Sequence, residues 1–172
     1  MHYTGLTRSS RQCVELGLTE GMFLNVSKTK FMVFGENRDE VSIIINGSVV
    51  ENVDSYKYLG VMLDSQLDFR KQVEYSVSKA KRASAKVFSL IDGRKGTPVH
   101  IGINLYKTLV RPHLEYALPV WANINDKDLD LMEKVQLQCI RKVTGAKAHS
   151  SAAAIEVISG IIPIRFRKRE LW

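Results

Sequence analysis

Cysteine is nearly missing: Cys13 and Cys139, far apart, are the only two in 172 residues. Two thiols do not make a disulfide framework, and their scarcity suits a reducing, intracellular setting, nuclear or cytoplasmic. The four histidines (His2, His100, His113 and His149) show no ligand spacing with either cysteine, so no zinc site is expected. No apolar run approaches the roughly 18 residues that a membrane span needs. The opening MHYTGLTRSSRQC has no signal-peptide core, and no membrane partner is expected. Internal repeats and low-complexity stretches are absent too.

What is present is a chain 45% hydrophobic, long enough for one core or two small ones. Its 25 Lys+Arg against 18 Asp+Glu leave a net charge of +7. Such an excess suits a polyanionic partner, although an ordinary basic protein has the same balance.

The first third reads as β-rich. Residues 9–21 carry a thin apolar pattern, interrupted by Gly17, compatible with a short helix. Little precedes the first hydrophobic element, residues 22–34, for it to pack against, as expected of a chain that begins inside a domain. Residues 30–34 are aromatic and β-branched enough for a buried strand, and 35–40 form a charged loop. Residues 41–45 and 48–53 read as paired strands joined by Asn46-Gly47, since both residues tolerate the positive φ of a two-residue hairpin. Residues 56–64 read as a further strand, with Gly60 at a bend or a close backbone approach.

After Asp68 the period changes to that of a helix. Over residues 69–91, Val73, Val77, Ala80, Ala83 or Ser84, Val87 and Leu90 or Ile91 make one apolar stripe, ended by Asp92-Gly93. Lys71, Lys79, Lys81, Arg82 and Lys86 decorate the remainder against only Glu74. Tyr75 lies near them, without the regular aromatic interleaving that base stacking would require. Thr97-Pro98 begins a second helix, with proline at the first helical position. It is faced by Ile101, Leu105, Tyr106, Leu109 and Val110 and ends near Arg111-Pro112. Residues 114–122 are apolar and aromatic, broken or kinked at Pro119. Asp126 caps a third helix faced by Leu129, Met132, Val135, Cys139 and Val143 and closed by Gly145. Ser150 or Ser151 starts a short helix to Gly160, and Pro163 precedes the basic run Arg165-Phe166-Arg167-Lys168-Arg169. The expected class is α+β, with a seam at residues 66–69.

Two ordered motifs carry a resemblance: Leu24-Asn25-Val26-Ser27-Lys28-Thr29-Lys30-Phe31-Met32-Val33-Phe34, and Tyr56-Lys57-Tyr58-Leu59-Gly60-Val61 about thirty residues on. The helical part follows suit, with Leu105-Tyr106-Lys107, Val110-Arg111-Pro112, Leu114-Glu115-Tyr116, Pro119-Val120-Trp121, Cys139-Ile140-Arg141 and Thr144-Gly145-Ala146. From Phe23 onwards the chain resembles non-LTR (LINE-type) retrotransposon reverse transcriptases. The resemblance implies that residues 1–66 are the end of a palm, a truncated β-hairpin and sheet piece, and that residues 67–172 are an all-helical thumb-like bundle with its C-terminal connection. It also implies that Lys28 lies near the nucleotide phosphates, where a lysine is a suitable point charge or acid. The alternative is a solvated lysine flanking a strand. Tyr58, Leu59, Gly60 and Val61 look like a primer-grip hairpin, glycine letting backbone approach the primer end; an ordinary strand bend is the alternative.

The departure from the family lies in the acids. Two-metal phosphoryl transfer needs carboxylates held together around Mg²⁺. In the family these sit in an aromatic-Ala-Asp-Asp turn and an earlier strand aspartate, both upstream of the Leu24 motif. Here only Glu15 and Glu20 precede Leu24. Asp54, Asp64 and Asp68 read as turn and capping residues. No catalytic or metal-binding residue is therefore expected, Mg²⁺ and the fingers belonging to an absent half, with the chain starting just after the catalytic turn.

Three functions follow. The first is a non-catalytic remnant that binds an RNA or DNA primer–template duplex, without sequence preference, through Lys71, Lys79, Lys81, Arg82 and Lys86; a solvated helix face is the alternative for these residues. The second is one half of a polymerase working with a separately supplied catalytic half. The third is a protein-interaction module docking through its late helices and residues 114–121. The run at 165–169 suits nuclear import or RNA contact, or is simply a solvated helix face.

Overall fold

The structure, a computed structural model, describes residues 25–35, 41–45, 47–91 and 96–170. The helix expected at residues 9–21, the Asp92-Gly93 stop and Asn46 of the first hairpin lie outside these. The chain forms two compact units that divide between Leu67 and Asp68. It is an α+β protein, with short strands in the first unit and helices in the second.

Asn25 organises the first described turn, its side chain accepting from Ser27 Oγ at 2.7 Å and from the Lys28 amide at 3.3 Å. That turn, Val26–Lys28, leads into β1 (Lys30–Phe31). Next, β2 (Ile44–Ile45) and β3 (Ser48–Val49) pair antiparallel around Gly47, whose φ is 75°. The expected continuous strand at 48–53 is not formed. Val50 still donates to the Ile43 carbonyl at 2.9 Å, but β4 (Glu51–Asn52) then pairs parallel with β1. The change of partner follows the side chains: Val50 is buried at 2% exposure, and Glu51 reaches an ion pair with Lys30 across the new ladder. β1 is correspondingly shorter than the five-residue strand expected there.

Residues 56–64, read as one strand, are instead a hairpin of β5 (Ser55–Tyr58) and β6 (Val61–Asp64). Leu59 and Gly60 both take positive φ, 46° and 87°. Two such residues make the turn whose twist matches that of the strands it joins.

In the second unit, the Asp68 carboxylate accepts from the Arg70 amide at 2.9 Å and starts α1 (Arg70–Ile91). Val73, Val77, Ala80, Ala83 and Val87 are buried, as their spacing predicts, while Leu90 is 60% exposed. Gln72 and Ser76, buried on the same stripe, hydrogen-bond each other at 3.1 Å.

The second helix departs from its pattern. Pro98 is the cap of α2 (Val99–Leu105), one residue outside it. The helix does not end at Arg111-Pro112 but passes through a π turn (Tyr106–Val110) into α3 (Arg111–Glu115). In that turn the Arg111 amide reaches back five residues to the Tyr106 carbonyl. A proline ring collides with the carbonyl four residues earlier, and the wider π turn relieves the conflict. Tyr106 and Val110 are fully buried, whereas Ile101 and Leu109, expected inside, are each 42% exposed; the extra residue changes the face from the π turn onwards.

α3 stops where Ala117 turns left-handed at φ 53°, and a 3-10 turn (Leu118–Trp121) follows. Leu114, Leu118 and Trp121, expected on a docking segment, are fully buried. Asn125, not Asp126, caps α4 (Asp126–Thr144), accepting from the Asp128 amide at 2.9 Å. Gly145, at φ 70°, closes it. Then come α5 (Ala152–Ser159) and α6 (Ile164–Glu170). α4 is the spine, with α1 and α2 packed on it and α5 and α6 following.

A polar chain crosses this core. Tyr106 donates to Gln136 Oε1 at 2.9 Å, and Gln136 Nε2 donates to the Ile162 carbonyl at 3.3 Å. Burial pushes the Tyr106 phenol up from its ordinary range, so it remains a donor. Burial likewise pushes the Cys139 thiol up to about 11, partly offset by a hydrogen bond with Ser84.

The α2–α4 approach depends on Gly102, where an added Cβ would stand 2.9 Å from Val143 Cβ and 3.2 Å from the Val143 carbonyl oxygen. Alanine gains up to about 1 kcal/mol in helix propensity. Overpacking a close contact costs typically about 1–3 kcal/mol. Gly102→Ala is therefore expected to destabilise the chain by about 1 kcal/mol, read as a lower urea midpoint at unchanged slope. A raised midpoint would show that α2 slides without cost.

Candidate functional site

The first unit carries an open groove of about 370 Å³ whose lining includes Lys28, Phe31, Phe34, Tyr56 and Tyr58. The turn capped by Asn25 presents Lys28, and the β5–β6 hairpin presents the tyrosines, so two of the expected site regions meet. Lys28 is exposed and Lys30 is paired with Glu51. Tyr58 and Leu59 stand 58% and 76% exposed, while Val61 of the same motif is buried. Within that motif Gly60 has the positive φ that suits glycine, but so does Leu59. A non-glycine residue in the left-handed region costs roughly 1–2 kcal/mol, and asparagine carries less of that cost. Leu59→Asn is accordingly expected to slow amide exchange of the β5–β6 hairpin about fivefold, equivalent to about 1 kcal/mol. Unchanged exchange would mean that the turn is unstrained.

In the second unit, α1 presents its cations unevenly. At about 100° per residue, Lys71, Tyr75, Lys79, Arg82 and Lys86 fall within one stripe, and Lys81 lies about 120° round from its centre. Lys79 Nζ sits over the Tyr75 ring, 4.6 Å from its centroid. Lys79, Arg82 and Lys86 then line a second concavity of about 370 Å³ together with Ala83, Leu109 and His113. His113 comes from α3, across the packed α1–α3 contact. Its pKa is lowered from the usual imidazole value, first by burial and then by Lys79, Arg82 and Lys86. Among the described residues, none of these three cations makes an ion pair. Charges of one sign thus accumulate in a hollow without a carboxylate, an arrangement that attracts anions.

Sequence reading missed His113, because it approaches α1 from 27 positions beyond Lys86. It also left open the role of the C-terminal basic run. Arg165 is held by α4, donating to Glu133 at 2.8 Å and to Asp130 at 2.9 Å. Arg167 lies 3.6 Å from Glu115, which also binds Arg111 at 2.6 Å. Lys168 Nζ reaches the Ile124 carbonyl at 3.5 Å. These partners fasten α6 to the bundle through Arg165, Arg167 and Lys168.

Among the described residues no three His, Cys, Asp or Glu side chains group closely enough to hold a metal. The Asp64 and Asp68 carboxylates accept from the Gln66 and Arg70 amides, at 3.1 Å and 2.9 Å, and Asp54 is exposed. Among the described residues, no helix is long and apolar enough to cross a membrane.

The architecture is therefore an α+β chain in which a hairpin unit precedes a helical unit with a cationic hollow. Over 119 residues this chain is 30% identical to the RNA-directed DNA polymerase from mobile element jockey of Drosophila funebris. It is 26% identical over 114 residues to the jockey polymerase of Drosophila melanogaster. It is also 26% identical over 125 residues to the probable RNA-directed DNA polymerase from transposon X-element of Drosophila melanogaster. These alignments cover 69%, 66% and 72% of this chain, and 13%, 12% and 14% of the relatives. The chain belongs to the family of non-LTR retrotransposon RNA-directed DNA polymerases. It spans about an eighth of the length of the curated relatives it matches. No protein-family profile matches it, and no solved structure does.

Proposed function

We propose that this chain is the palm-end and thumb portion of such a polymerase, holding primer–template duplex by its phosphates and transferring no nucleotide itself. In this reading residues 1–66 end the palm and residues 67–172 form the thumb and connection. Lys28 and the Tyr58–Gly60 hairpin tip lie along the primer side. The single observation behind the binding role is the trio Lys79, Arg82 and Lys86, without a carboxylate partner among the described residues and gathered in a hollow. Family membership supplies the nature of the polyanion. The absence of any Asp-Asp pair from the sequence supports the lack of chemistry.

A salt titration with a primer–template duplex tests the holding role. Each neutralised phosphate contributes roughly −0.9 to the slope of log K against log salt. Binding that is insensitive to salt would refute phosphate contacts. Nucleotide incorporation above background by the chain alone, with Mg²⁺ supplied, would refute the non-catalytic part. Incorporation only when a separate catalytic half is added would make the chain one part of a divided polymerase.

A second reading has its own observation. Val157 and Ile158 on α5 are 81% and 78% exposed side by side. Adjacent exposed aliphatic residues favour a protein contact over solvent. Size-exclusion behaviour that depends on concentration and is abolished by Val157→Asp would support docking here, and a monomer at all concentrations would oppose it.

A further inference from the structure

We infer that the hollow between α1 and α3 is a seat for one tetrahedral oxyanion, in which a protonated His113 joins Lys79, Arg82 and Lys86 as a donor to the bound anion. This rests on the duplex-holding reading for its natural ligand, a phosphodiester of the duplex backbone, and extends it to a particular site and a proton.

The geometry carries the inference. Lys79, Arg82 and Lys86 recur at helical spacing on one face of α1, and His113 closes the hollow from α3. Ala83 and Leu109 complete the lining, alanine leaving room behind the cations. A water occupies about 30 Å³ of liquid, so about 370 Å³ admits one phosphate group with several waters. Lysine and arginine supply point charge and directed donors, and a protonated imidazole adds a further donor.

The charges facing His113 from α1 are Lys79, Arg82 and Lys86, and the π turn contributes only apolar Leu109 to the hollow. On its own helix, Glu115 is bound to Arg111 and flanked by Arg167. In the empty hollow, burial and the three cations disfavour the imidazolium. An oxyanion reverses the sign of that neighbourhood, so filling the seat takes up a proton. By linkage, binding tightens as pH falls, about tenfold for each unit by which filling raises the His113 pKa. A phosphodiester keeps its single charge over this range, so the effect belongs to the protein.

The test is an NMR titration of the His113 imidazole in the full chain across roughly pH 5 to 8. It is run alone, with sulfate (whose charge is constant over this range) and with primer–template duplex. The expected result is a His113 pKa raised by about one unit with either anion, and duplex affinity rising about tenfold on acidification. His113→Gln is expected to flatten that pH profile, whereas His100→Gln, at an exposed position, leaves it intact. Duplex binding with His113 unmoved by either anion would overturn the seat while leaving the duplex-holding reading in place. A pKa raised by sulfate without duplex binding would support the seat for free oxyanions and defeat that reading. No duplex binding together with no His113 response to either anion would overturn both. A response to both anions would support both.

Discussion

Trp121→Ala is expected to remove about 3–5 kcal/mol of stability, the range for emptying a fully buried tryptophan site. Trp121 has no exposed surface and is the largest fully buried side chain among the described residues. Its loss has a second component. The indole Nε1 donates to the Tyr116 carbonyl at 2.9 Å, and Ala117 follows in a left-handed conformation at φ 53°. The indole therefore braces the reversal between α3 and the 3-10 turn as well as filling space. Small domains hold only about 5–15 kcal/mol in total, so the variant forfeits roughly a fifth or more of that reserve. Urea unfolding followed by far-UV circular dichroism measures it. Trp121→Phe separates the components, keeping most apolar area while losing the donor. A drop below about 1 kcal/mol for Trp121→Ala would show that the site collapses around the missing ring.

The combined Lys79→Gln, Arg82→Gln, Lys86→Gln variant is expected to bind primer–template duplex roughly a hundredfold more weakly near physiological salt. Its salt slope should be shallower by about 2.7, three phosphate contacts at roughly 0.9 each. Lys81→Gln removes a single charge at another angle of the same helix and is expected to leave the slope within about 0.5 of the parent, against about 0.9 for any one of the three. The contrast matters more than either value. Equal losses at Lys81 and at any one of the three would indicate diffuse attraction by the net charge of +7 rather than engagement at the hollow. Fluorescence anisotropy at several salt concentrations measures both slopes.

Much of the helical unit could be read in advance because its signals are local. Val73, Val77, Ala80 and Val87 repeat at helical spacing and are buried, as are Leu129, Met132, Val135, Cys139 and Val143 of α4. Gly145 and Gly160 end helices by taking the left-handed conformation that their position demands. What escaped was non-local or depended on one inserted residue. The π turn before Pro112 interrupts the regular period of the second helix, so Leu109 faces outwards despite its apolar character. In the first unit, nothing between Ser48 and Asn52 announces a change of partner, since the pairing of β4 with β1 is decided some twenty positions away. The candidate site divides in the same manner. The cations of α1 were visible as a cluster, but their sorting into a stripe with Lys81 outside it needed the helix. Adding His113 needed the fold of one helix onto another. The acids that hold Arg165 and Arg167 are likewise 32 or more positions upstream.

Cys139 gives the chain a built-in timer for its own opening. Only thiolates react quickly with alkylating reagents, and burial between α1 and α4 keeps this thiol protonated and covered. The pace at which the Cys139 peptide gains a label therefore counts excursions in which the two longest helices part. Comparing that pace with and without duplex would reveal whether a ligand on the outer face of α1 stills the seam beneath it.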